Sequence, residues 1–121
     1  MVLTATFRGY CNDTKSWIIG YLGGRNIIIR DNKVYIVQED SVAIWTGFYD
    51  SQGIKIFVND ILKTGNNNLY KVLFQLDGFR VEKLDEDGFT YQLTDFLQLK
   101  DEAKVVGIDY IDYESGYGEE K

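Results

Sequence analysis

Leu69-Tyr70-Lys71-Val72-Leu73-Phe74-Gln75-Leu76-Asp77-Gly78-Phe79-Arg80-Val81-Glu82-Lys83-Leu84 reads as two β-strands around a tight turn, and it sets the fold class of the chain. Asp-Gly is a leading sequence for a two-residue type I′ turn, because both residues tolerate positive φ. A loop at Asp77-Gly78 pairs Leu76 with Phe79, Gln75 with Arg80, Phe74 with Val81 and Leu73 with Glu82. Leu76, Phe79, Phe74 and Val81 then share one face, and Gln75, Arg80 and Glu82 the other. Alternation that agrees across both arms is what a half-buried hairpin needs.

Strand signals continue on both sides. Upstream, Thr4-Ala5-Thr6-Phe7-Arg8-Gly9 is β-prone and runs into the turn-rich Cys11-Asn12-Asp13-Thr14-Lys15-Ser16. Trp17-Ile18-Ile19-Gly20-Tyr21-Leu22 reads as a buried strand ended by Gly23-Gly24. Residues 26–30 and 33–37 flank Asp31-Asn32, a second hairpin signal, and residues 41–45 form a further short apolar segment. Downstream, the polar turn Asp85-Glu86-Asp87-Gly88 leads into Phe89-Thr90-Tyr91-Gln92. Thr94 suits the cap of one short helical turn through Lys100, with Asp95 in its first turn. Residues 105–111 read as a last strand, and residues 114–121 as a frayed acidic tail. About eight short strands with turn signals every 8–12 residues predict a mainly β, single-domain antiparallel fold, barrel-like, with at most short helices. The expected division is a β domain over residues 1–113 and a tail over 114–121.

Residue types exclude much chemistry. The chain has 121 residues, one Cys, no His and no Pro, where average usage predicts about six prolines. A structural zinc site needs four Cys/His ligands, and Ser-His or Cys-His catalysis needs an imidazole. No disulfide can form within one chain that holds only Cys11, which fits a reducing compartment. The first residues lack the basic and long apolar stretches of a signal peptide, so the cytoplasm is the expected location. No apolar run nears the ~20 residues that span a bilayer, so no membrane partner is expected.

Individual motifs resolve toward architecture. Asp85-Glu86-Asp87-Gly88 places its glycine fourth, which fails the calcium-loop pattern. Gly20, Gly23 and Gly24 precede no Gly-Lys-Ser/Thr and make no phosphate loop. Carboxylates could serve glycosidase or metal-dependent chemistry, the candidates being Asp50, Asp60, Asp109 and Asp112. None sits in a spacing that implies convergence, and Asp109 and Asp112 fall on opposite faces of one strand. Cys11, placed in a polar turn without a base, reads as an incidental thiol. Phe7-Arg8 and Phe79-Arg80 read as aromatic-in, arginine-out alternation rather than a stacking platform for single strands. No catalytic, cofactor-binding or metal-binding residue is assigned.

The segment Val42-Ala43-Ile44-Trp45-Thr46-Gly47-Phe48-Tyr49-Asp50-Ser51-Gln52-Gly53-Ile54-Lys55-Ile56-Phe57-Val58-Asn59-Asp60-Ile61-Leu62 resembles the signature of the YopX-like family of phage and prophage proteins. The shared pattern is an aromatic-Thr-Gly, an Asp-x-x-Gly turn and an Asp-Ile strand start. Phe7-Arg8-Gly9, Trp17-x-x-Gly20-x-Leu22 and Val105-Val106-Gly107 extend it in order to about residue 110. The chain departs from the family at Val58-Asn59, Gly107-Ile108-Asp109 and Tyr113-Glu114. The motif residues Trp45, Thr46, Gly47, Asp50, Gly53, Asp60 and Gly107 read as structural. Asp50 and Gly53 suit the ends of a type I turn, and Gly47 frees the backbone where Thr46 leaves a strand. Asp60 suits a bond to a neighbouring N–H. The resemblance implies a mainly β protein of phage or prophage origin in the bacterial cytoplasm, with no activity or cofactor to carry over.

Two functions compete. The first is a non-enzymatic accessory protein acting through protein contacts, including contact with its own copies. The alternative is a nucleic-acid-related role, as a weak single-strand binder or an acidic DNA mimic. Residues 1–60 carry six Lys/Arg and six Asp/Glu, so the net −6 lies wholly in residues 61–121. Arg8, Arg25, Arg30 and Lys33 are the candidate phosphate patch. Asp109, Asp112, Glu114, Glu119 and Glu120 are the candidate mimic, although acidic tails commonly serve solubility. We expect no binding to single- or double-stranded DNA at physiological salt by fluorescence anisotropy. Salt-sensitive affinity tighter than about 10⁻⁶ M would contradict this.

Overall fold

The computed structural model describes residues 5–84, 89–99 and 102–109. They form two compact units, one ending at Trp45 and the other running over Thr46–Asp109. The expected acidic tail, the Asp85-Glu86-Asp87-Gly88 turn and Asp112 lie outside the described residues.

The first unit is a meander of β1 (Phe7–Cys11), β2 (Ser16–Gly24), β3 (Ile27–Arg30) and β4 (Lys33–Ile36), each antiparallel to the next. Asp31 and Asn32 join β3 to β4 with φ of 53° and 65°, so both central residues adopt the left-handed region that a type I′ turn demands. β5 (Ala43–Tyr49) starts in this unit, where Phe7 and Arg8 pair with Ile44 and Ala43. A single 3₁₀ turn, Glu39–Ser41, is pinned to β1. The Ser41 hydroxyl donates to Gln38 O at 2.6 Å and accepts the Tyr10 N–H at 2.7 Å. The core comprises Cys11, Ile18, Ile28 and Val37, flanked by Phe7, Tyr35 and Val42. Cys11 therefore ends a strand and is buried, instead of lying in a polar turn.

The second unit holds the end of β5, then β6 (Lys55–Phe57), β7 (Asp60–Lys63), β8 (Leu69–Gln75), β9 (Gly78–Lys83), β10 (Thr90–Gln92), α1 (Leu93–Leu99) and β11 (Lys104–Ile108). Its antiparallel sheet runs β10-β9-β8-β7-β11. Leu62, Val72 and Val81 reach zero exposure beside Ile56, Tyr70 and Ala103. Leu93 and Phe96, one helical turn apart, bury the inner face of α1, and the Phe96 ring lies 4.7 Å from that of Tyr70. The helix starts at Leu93, so Thr94 lies within it and does not cap it.

Two further expectations need correction. The loop of the deciding hairpin is Leu76-Asp77, not Asp77-Gly78: Gln75 pairs with Gly78, Phe74 with Phe79, and Val72 with Val81. Gly78, at φ 120°, alone takes the positive-φ position, which spares Asp77 from it. Moving a turn by one residue shifts cross-strand partners by two, so Phe74, Phe79 and Val81 keep their common face. Leu76, in contrast, moves to an exposed tip. Nor does the chain form a barrel among the described residues. In the first unit the strand order is β4-β3-β2-β1-β5 and in the second β10-β9-β8-β7-β11, and neither run closes on itself. Among the described residues eleven strands, more numerous and mostly shorter than the sequence suggests, divide the apolar residues between two clusters. No helix among the described residues is long and apolar enough to cross a membrane.

These registers separate two substitutions. Leu62→Ala should lower unfolding free energy by about 2–5 kcal/mol in urea titrations. Leu76→Lys should change it by no more than about 0.5 kcal/mol, whereas a Leu76–Phe79 core pair would make it costly.

Candidate functional site

The signature segment centres on Asp50, whose side chain is inside the second unit at 7% exposure. Asp50 Oδ1 accepts the N–H groups of Gln52 at 2.8 Å and Ile54 at 2.9 Å; Oδ2 accepts that of Val105 at 2.8 Å. Gly53 N–H donates to Asp50 O at 3.1 Å, which closes the Asp-Ser-Gln-Gly turn, and Gly53 sits at φ 80°. Ser51 N–H donates to Ala103 O at 3.0 Å. One carboxylate thus staples the 50–54 turn to the start of β11.

The other motif residues also serve the backbone. Thr46 is buried; its hydroxyl donates to Ile56 O at 2.8 Å and accepts the Phe48 N–H at 3.2 Å. Gly47 has φ 90°, but β5 runs on through Tyr49, so Thr46 does not mark a strand end. Trp45 N–H donates to Thr6 O at 2.8 Å. Asp60, with no exposure, accepts the Phe57 N–H at 2.8 Å. Gly107 faces Ile61 after a register shift that skips Val106, and open space surrounds the position of its missing Cβ.

The remaining candidates do not converge. Asp109 forms an ion pair with Lys71 at 3.1 Å. Arg8 is not turned out to solvent: it is buried, its guanidinium 5.2 Å from the centre of the Trp17 ring. Burial against the indole face offsets part of the cation's lost hydration. Arg25 pairs with Glu39, and Arg30 lies over the Tyr35 ring at 5.6 Å. Arg80 Nε donates to Thr90 Oγ1 at 2.8 Å, and its Nη1 pairs with Asp77 at 3.0 Å. Among the described residues, no group of three or more Cys, Asp or Glu comes together to hold a metal.

A cleft of about 380 Å³ lies beside the Asp50 staple. Ser51 and Gln52 come from the stapled turn, Glu102 and Lys104 from the entry to β11, and Lys63 and Asn67 from the end of β7 and the turn after it. That turn is closed by Thr64 N–H to Asn68 O at 3.0 Å and Asn67 N–H to Thr64 O at 2.9 Å. Lys63 and Lys104 are direct cross-strand partners. Nothing in the sequence pairs residues so far apart, so the cleft had no local signal.

Fold and motif together describe a mainly β protein whose signature residues build a backbone junction. The model of the YopX protein family matches residues 6–114, and the chain belongs to that family. No curated protein matches it.

Asp50→Ala should lower unfolding free energy by about 2–4 kcal/mol, because three amides lose their acceptor. Asp50→Asn should recover part of that loss. Gly107→Ala should stay within about 0.5 kcal/mol, as open space receives the methyl group.

Proposed function

We propose that this chain is a non-catalytic phage or prophage accessory protein that works through protein contacts, and that its contact surface is the free edge of β4, taken up by a second copy of the chain. The observation that carries the reading is an edge strand that no other strand covers among the described residues. β4 ends its sheet, and Val34 and Ile36 are 64% and 62% exposed. Val34 lies beside Ile29, and Ile36 beside Ile27, so one apolar surface continues inward from the edge.

Hairpin parity gives the pairing rule. In a two-residue hairpin the residues flanking the turn, Arg30 and Lys33, are hydrogen-bonded partners, and bonding alternates from there. The Val37 N–H to Asn26 O bond at 2.9 Å keeps that alternation. The N–H and C=O groups of Val34 and Ile36 therefore point away from β3. An antiparallel copy centred on Tyr35 sets Val34 opposite Ile36, and Ile36 opposite Val34, a two-fold contact with self-complementary hydrogen bonds. Lys33 is the one charge in β4 that could discourage it.

A non-catalytic role is supported by the use of the Asp50 and Asp60 carboxylates on backbone amides and by the burial of Cys11. The nucleic-acid reading has less support, since Arg8, Arg25 and Arg30 of the candidate patch are engaged within the chain. Sedimentation velocity should show a concentration-dependent dimer for the wild type and a monomer for Ile36→Lys with unchanged circular dichroism. A wild type that is monomeric at every concentration would reject the second copy as partner.

A further inference from the structure

The geometry points to a small-anion site in the cleft beside the 50–54 turn: we propose that Lys63 and Lys104 together hold a phosphate-bearing small molecule. Like charges placed directly across two antiparallel strands repel, and sheets ordinarily avoid them. Lys63 and Lys104 stand in that relation, and no ion-pair partner is found for either among the described residues. Elsewhere Arg30 also faces Lys33, but at a hairpin tip where Arg30 turns onto the Tyr35 ring. The Lys63–Lys104 pair instead lines a concavity, where an anion between the ammonium groups would turn the repulsion into attraction.

The rest of the lining fits that occupant. Ser51, Gln52 and Asn67 offer neutral side-chain donors for further phosphate oxygens. Glu102 lies against Gly65, occupying the space that a Cβ there would need, so its carboxylate forms part of the same wall. A carboxylate repels a bare anion but accepts a hydrogen bond from a hydroxyl or amine. The site therefore favours a phosphate ester carrying such a donor over inorganic phosphate. A volume of about 380 Å³ is in the lower part of the ~300–1,000 Å³ usual for ligand pockets, which suits a single small metabolite.

The test is an NMR titration of the full chain with inorganic phosphate and, separately, ribose 5-phosphate, with chloride at equal ionic strength as control. The site predicts saturable amide shifts concentrated at residues 51–52, 63–67 and 102–104, tighter for the ester. Lys63→Gln and Lys104→Gln should each weaken binding about tenfold or more, whereas Lys15→Gln should not. Without ligand, Lys104→Gln should also raise the melting temperature by removing the repulsion. The proposal is overturned if neither probe gives saturable shifts, if chloride reproduces them, or if both lysine variants bind like the wild type.

Discussion

Asp50 supplies the constraint on which the second unit depends. Its two oxygens accept three backbone N–H groups, two within its own turn and one at Val105, 55 residues away. Hydrogen bonds to an ionised acceptor are stronger than neutral ones, and partial burial limits competition from water. A neutral side chain offers one such oxygen at most. The turn sequence and the start of the last strand are therefore fixed by one acid, and the cleft wall at Ser51, Gln52 and Lys104 takes its shape from that fixation.

The two proposed surfaces differ in physical kind. The β4 edge presents apolar side chains and backbone groups that point away from β3, and a contact there gains from main-chain bonds plus the covering of Val34 and Ile36. The cleft presents cations within a chain of net charge −6, so its attraction for anions is local and cannot come from the overall field. The edge lies in the first unit and the cleft in the second, so each surface can be altered alone.

Much of the fold was legible because turns declare themselves locally. Asp31-Asn32 and the Asp50–Gly53 turn could be placed from residue type, since each carries its conformational preference within four residues. At Asp77-Gly78 the residue type was right and the turn was off by one, because a type I turn followed by Gly uses the same glycine differently. Cys11 escapes the sequence reading because β1 extends as far as it, and Arg8 because both faces of β1 are covered: Arg8 and Cys11, three residues apart on opposite faces, are both buried. The cleft could not be read at all. Lys63 and Lys104 become neighbours only through the β7–β11 pairing, which no local pattern encodes.

That pairing also imposes an order on synthesis. β1 to β4 meet as sequence neighbours, so each hairpin can close soon after its second strand leaves the ribosome. β7 must wait for β11, and the Asp50 carboxylate for Val105. During that interval β8 covers one edge of β7 and the other stays open, a bare template for any extended segment nearby. Arrival of β11 closes that edge and supplies the third amide to Asp50, so in the second unit the vulnerable period of the nascent chain ends with its last strand.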